Sequence, residues 1–223
     1  MPFVADVRGE PALGLRERKK QRTRATLLDA AVELCDRQGF ERTTVDQIAA
    51  IAEVSPRTFS RYFATKDAIA FALIDDAIDL AALELARQPR ELNHFEALRR
   101  AYVTMYTSTK TAPPGALSED RMMCIVRIIM GSPILRQSAL EYRPHAVNIE
   151  MAKRLGVALD DRRLRLISAM WGSIIMTALA DLTDHRVDWA QVSVDGVVSR
   201  LESTFAEFMG EIRDVGQPGQ PTA

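Results

Sequence analysis

The stretch TTVDQIAAIAEVSPRTFSRYFATKDAI, residues 43–69, decides how the chain is read. Thr44 followed by Gln47 fits a Thr-x-x-Gln capping box, in which two side chains satisfy backbone groups at a helix start. Val45, Ile48, Ala49 and Ala52 then recur at the spacing that lines one buried stripe of a helix. Glu53, Val54 and Ser55 leave a connection of the length that joins the two helices of a helix-turn-helix. Ser55 and Pro56 open the next helix as N-cap and first-turn proline, and Val54 is placed to staple onto Phe59. In this second helix Phe59 and Phe63 share an inward face, while Arg57, Ser60 and Arg61 share another. Two arginines and a hydroxyl on a two-turn helix suit a DNA major groove, where the arginine fork pairs both acceptors of guanine. Backbone N–H groups of the first turn suit a phosphate.

Outward from this stretch, composition sets the limits. The chain has 223 residues, 47% hydrophobic and 26% charged, enough apolar surface for a core and too much for wholesale disorder. Its net charge of −1 excludes a uniformly basic protein that coats nucleic acid. The charge is nevertheless uneven, because Arg16 to Arg24 (RERKKQRTR) places a basic arm at the start of the first helix. Two cysteines, Cys35 and Cys124, exclude a disulfide framework and a four-cysteine zinc site, and suggest a reducing compartment. No apolar leader is visible at the start of the sequence. The longest uncharged stretch, Leu166 to Ala180, spans 15 residues, short of the roughly 20 needed to cross a bilayer, and reads as a buried helix. These features predict a cytoplasmic protein with no membrane association.

Strand signals are poor and cap signals are many, which predicts an all-α fold. The expected helices are 16–38, 45–52, 56–63, 66–88, 94–111, 119–131, 133–156, 161–183 and 189–213. The expected organisation is a mobile arm over 1–15, a helix-turn-helix DNA-binding domain over 16–65, a helical regulatory and dimerisation domain over 66–214, and a disordered tail over 215–223.

The segment from Arg24 to Lys66 and just beyond resembles the DNA-binding region of the TetR family of bacterial transcriptional regulators. The resemblance lies in ATLLDAAVELCDRQGF, in the Thr-Thr-Val-x-x-Ile-Ala opening, in Val-Ser-x-x-Thr-Phe, and in the closing Tyr-Phe-x-x-Lys-x-x-Ile. It implies an N-terminal three-helix reading domain joined to a C-terminal helical domain that binds a ligand and dimerises. It implies that Thr44 caps its helix and touches a phosphate, that Pro56, Arg57 and Ser60 face the bases, and that Thr58, Tyr62 and Lys66 contact the DNA backbone. Ser55 and Arg61 join that surface, and the basic arm, Arg22 included, would follow phosphates or an adjacent minor groove. This chain departs from the family pattern at two positions. Glu53 stands where glycine is usual, and it must point away from DNA and take a left-handed conformation costing about 1 kcal/mol or more. Ser60 stands where an aromatic residue is frequent, which shifts base contact to Arg57 and Arg61.

Methionines and aromatics gather in the later helices. Met105, Tyr106, Met123, Met130 and Trp171 suggest a largely apolar pocket, since methionine adapts to irregular apolar ligands, with Arg127 or Arg121 as anchor for a polar group. Ala169, Gly172 and Ser173 offer small surfaces for close helix approach, and Val197, Leu201 and Phe205 form an apolar stripe; both are candidate dimer elements. The resemblance implies that the last two helices pair with their twins, so that a homodimer reads a roughly palindromic double-stranded operator. The implied function is a repressor released by a small, largely apolar effector, with no metal and no cofactor. An enzyme is the rival class, but His94, His145 and His185 make no motif with a neighbouring acid or nucleophile, and no glycine-rich phosphate loop is present. A helical small-molecule-binding protein without a DNA role is the second rival, separable by a gel shift.

Overall fold

The computed structural model describes residues 14–113, 116–140, 143–184 and 186–214. In chain order the helices are α1 (Leu15–Gln38), α2 (Val45–Ile51), α3 (Pro56–Tyr62), α4 (Lys66–Ala86), α5 (His94–Ser108), α6 (Glu119–Gly131), α7 (Pro133–Leu140), α8 (Ala146–Leu155), α9 (Arg162–Ala178) and α10 (Val194–Asp214). Short 3₁₀ turns occupy Thr109–Thr111, Ala180–Thr183 and Trp189–Gln191. Among the described residues there is no strand, so the fold is all-α. No helix among them is long and apolar enough to cross a membrane. The arm expected over 1–15, apart from Gly14 and Leu15, and the tail expected over 215–223 lie outside the described residues.

Two expected helices are broken. The segment 133–156 forms α7 and α8 rather than one rod. Pro144 lacks an N–H and disfavours helical geometry at Arg143, so the chain turns there. The segment 189–213 begins with a 3₁₀ turn capped by Asp188, whose side chain accepts from the Ala190 N–H. A second cap, the Ser193 hydroxyl accepting from the Gly196 N–H at 3.2 Å, accompanies the start of α10.

The chain clusters into two compact units that divide between Ala70 and Phe71, inside α4. In the first, α1 packs on α2 and α2 on α3. Leu27, Leu28, Ala30, Ala31, Leu34 and Cys35 are the buried positions of α1, and of the basic arm before them Arg24 lies over the Phe63 ring at 5.7 Å. The Thr44 hydroxyl accepts from Gln47 N at 3.2 Å and the Gln47 carboxamide accepts from Thr44 N at 2.9 Å, completing the capping box. At the other end of α2, Val54 N donates to Ala49 O at 2.9 Å and Glu53 N to Ala50 O at 3.1 Å. This Schellman closure requires a left-handed residue, and Glu53 supplies it at φ 52.

In the second unit α9 packs against α5, α8 and α10. A relay of rings ties three of these helices together: Tyr102 meets Trp171 at 5.2 Å, Trp171 meets Phe205 at 6.2 Å, and Phe208 meets Phe95 at 5.4 Å. Beside it Glu96 is held by Arg99 and Arg100, and Arg99 reaches Glu202 on α10. The hydrogen bond from Arg99 lowers the Glu96 carboxyl to about 2, against a smaller opposing effect of burial and with a further lowering by Arg100.

Two outcomes are expected. Glu53→Gly removes the left-handed cost of a side chain and raises stability by about 1 kcal/mol, read as a shift in the urea midpoint of the full chain. The Glu96 carboxyl is lowered on folding, so its stabilisation is complete above its ordinary value of 4.5 and is lost as pH falls toward about 2. Glu96→Gln flattens the stability-versus-pH curve over that interval, as followed by helical circular dichroism during acid titration.

Candidate nucleic-acid interface and ligand cavity

Seven residues make α3, and the caps decide its phase. Ser55 accepts from Thr58 N at 3.1 Å, and the Ser55 and Thr58 hydroxyls lie 3.0 Å apart, so each hydroxyl already has a partner. Phe59 is 1% exposed and stacks at 5.8 Å on Phe63, which fixes the opposite face outward. That face carries Pro56, Arg57, Ser60 and Arg61, all exposed. Arg57 has no hydrogen-bond or ion-pair partner among the described residues. Arg61 lies over the Tyr62 ring at 5.3 Å. Ser60 donates to Pro56 O at 3.1 Å, which leaves its hydroxyl oxygen as an acceptor.

The flank of this face is basic. The Tyr62 hydroxyl is lowered from its ordinary value of 10.0, first by a hydrogen bond with Thr23 and, against a smaller effect of burial, by Arg61 and Lys20. Arg22 is exposed on α1 and Thr44 is exposed at the head of α2. Lys66 is different. Its ammonium donates to Phe40 O at 3.0 Å and to Glu41 O at 3.2 Å, and lies 4.7 Å from the centre of the Phe40 ring. Two of its three N–H groups therefore close the corner after α1, and a phosphate could take only the third.

The second unit holds a cavity of about 190 Å³. Its walls come from α4 (Phe71, Ile74, Ile78), α5 (Tyr102, Met105, Tyr106), α6 (Met122, Ile125, Met130), α8 (Met151) and α9 (Trp171, Met176). Of the residues expected to line it, Met105, Tyr106, Met130 and Trp171 do so. Met123 and Arg127 do not, and neither does Arg121. The inward row of α6 is 122, 125, 126, 129 and 130, and a residue is turned about 100° from its neighbour, so 123 and 127 point elsewhere. Arg127 lies over the Trp189 ring at 5.9 Å instead.

The charged and polar lining is Asp75, Arg143, His145, Asn148 and Ser168, which the sequence reading missed. Asn148 donates to Arg143 O at 2.6 Å and accepts from the Ser168 hydroxyl at 2.7 Å, so both ends of its amide are satisfied. Arg143 lies 5.2 Å from the centre of the Phe71 ring. Burial lowers the His145 imidazole from 6.5, with Asp75 opposing and Arg143 reinforcing the shift. Tyr102 stands four residues before Tyr106 on α5, a spacing that signals a shared face and could have been read from the sequence.

The stripe expected at a dimer interface lies inside its own chain. Val197 is 1%, Leu201 2% and Phe205 8% exposed, because α10 turns this face to α5 and α9. Gly172 is half-buried and Ala169 exposed, both at the cavity wall, whereas Ser173 is exposed on α9 outside that lining.

Residues 27–73 match the pattern of the bacterial regulatory proteins, tetR family. The chain is 36% identical over 171 residues to the HTH-type transcriptional regulator TcmR of Streptomyces glaucescens, covering 72% of this chain and 73% of that one. It is 32% identical over 137 residues to HbdR of Aromatoleum sp. (strain CIB), covering 55% of each. In three dimensions it is similar to a TetR-family regulator from Streptomyces coelicolor A3, with TM-score 0.51 and 20% identity over 86% of this chain and 98% of that one. These likenesses define a helix-turn-helix transcriptional regulator. The chain belongs to the TetR family of bacterial regulatory proteins.

Lys66→Met opens the corner that its ammonium closes. The expected loss is about 1–3 kcal/mol of stability in the protein without DNA, measured by urea titration. An unchanged midpoint would show that those two carbonyls do not need the lysine.

Proposed function

We propose that this regulator is a cytoplasmic homodimeric repressor that leaves a palindromic operator when a small, largely apolar effector fills the cavity of the second unit. The observation that carries the reading is the pairing, in one chain, of an outward arginine face on α3 with a largely apolar cavity. Arg57 and Arg61 read base edges, and Pro56 and Ser60 fit against them. Arg22, Thr44, Ser55, Thr58, Tyr62 and the third N–H of Lys66 hold the phosphates.

The dimer forms through exposed small residues rather than through the buried α10 stripe. On α9 these are Ala169, Ser173 and Thr177, beside the 59%-exposed Leu166. On α10 they are Ser199, Ser203, Ala206 and Gly210, one helical face that a neighbouring backbone can approach closely. Two-fold symmetry then places two α3 helices on successive major grooves.

Helix α4 couples binding to release. It lines the cavity with Phe71, Ile74 and Ile78 and begins at Lys66, which closes the corner of the reading unit. A differential affinity of about 1–3 kcal/mol between the two positions of this helix changes DNA affinity roughly 5–150-fold.

Arg57→Ala is expected to weaken operator binding by about 1–3 kcal/mol and random-DNA binding far less, measured by fluorescence anisotropy with fragments from around the regulator's own gene. Equal losses on both sequences would overturn the base-reading role. Ser173→Arg is expected to give monomers in sedimentation equilibrium and to abolish tight operator binding.

A further inference from the structure

The cavity is not uniformly apolar: Tyr102, Tyr106 and Trp171 bring hydrogen-bonding groups to its α5 and α9 walls. The Trp171 indole N–H is buried and has no hydrogen-bond partner among the described residues. It faces the Tyr102 hydroxyl closely enough to favour the phenolate, without reaching hydrogen-bonding geometry. The Tyr106 hydroxyl has no hydrogen-bond partner among the described residues, and the Tyr102 hydroxyl has only the approach of Trp171. Both phenols line the cavity, one turn apart on α5, with the Trp171 ring 5.2 Å from that of Tyr102. Burial pushes Tyr102 up to about 12 and Tyr106 higher still, so both remain proton donors at any ordinary pH.

The rest of the lining brings no net charge. Asp75 and Arg143 are of opposite sign, His145 is held toward its neutral form, and Asn148 is already satisfied at both ends. With no net charge on its lining, the site has no overall preference for an anion or a cation, and either would lose hydration on entering. The volume, about 190 Å³, somewhat exceeds the roughly 150 Å³ of a cavity that takes benzene, and so fits a substituted ring or two fused rings.

We infer that the effector site selects a neutral, compact ring compound carrying a carbonyl-type acceptor, which the Tyr102, Tyr106 and Trp171 donors hold. The inference rests on the effector cavity proposed above, and adds to it the polarity, charge and orientation of the guest.

Isothermal titration calorimetry on the full chain tests it with 1-tetralone, with tetralin, which has the same rings but no carbonyl, and with 1-naphthoate, which is anionic. The expected result is that 1-tetralone binds at least about tenfold more tightly than either of the others, a factor equivalent to about 1.4 kcal/mol. The doubly substituted Tyr102→Phe, Tyr106→Phe chain keeps the rings, and is expected to bind tetralin as before while losing most of the preference for 1-tetralone. Trp171→Phe is the second variant, should the first not fold, and is expected to reduce the same preference. Tetralin or 1-naphthoate binding as tightly as 1-tetralone would overturn the inference. So would a preference that survives both variants, or no binding of any of the three. Operator binding by the ligand-free chain is read separately by anisotropy. Its loss would refute the regulator reading and leave the ligand preference standing.

Discussion

A helix of seven residues does not hold itself together in water, since an isolated helix shorter than about 12 residues is marginal. Helix α3 exists because Phe59 and Phe63 are clamped in the interior, and because Ser55 caps it and Pro56 brings no N–H to its first turn. Everything on its outer face inherits its direction from those two rings. The clamp needs α2 at a fixed angle, which the Schellman closure at Glu53 provides, and it needs the corner after α1, where Lys66 binds the carbonyls of Phe40 and Glu41. The exposed arginines are thus the visible end of a chain of internal constraints.

The second unit obeys a different economy. A cavity of about 190 Å³ is space that its lining side chains leave unfilled, so they forgo packing contacts there. A wall of flexible Met105, Met122 and Met130 would collapse into such a space if nothing braced it. The bracing is visible in the ring relay from Tyr102 through Trp171 to Phe205 and in the Arg99 bridge between Glu96 and Glu202. These contacts join α5, α9 and α10 beside the cavity.

The sequence made the reading head legible because its signals are local. The Thr44 box, the Ser55–Pro56 start and the Phe59–Phe63 pair each lie within five residues, and each fixes a backbone state directly. The second unit was less legible because its questions are not local. Apolar periodicity shows which face of α10 is buried, but not whether its own chain or a twin buries it, and Val197, Leu201 and Phe205 are buried at home. Composition placed methionines near a pocket, but only helical phase separates Met122, which faces inward, from Met123, which does not. A lysine's charge is visible in sequence, while its direction is set by a carbonyl 26 residues away. Pro144 lies inside the expected helix 133–156 and is a break signal that the apolar pattern alone does not carry.

That break does more than divide a rod. In an unbroken helix the carbonyl of Arg143 would accept from the amide of Val147. Here it accepts from His145 N at 2.8 Å and from the Asn148 side chain at 2.6 Å, and Asn148 is in turn anchored by Ser168 on α9. The bend is thereby soldered to the helix across from it by a single amide. Exchanging that one asparagine for an apolar residue of similar size would free the bend, so a lineage could retune the size of the guest chamber there while leaving the arginines of α3 untouched.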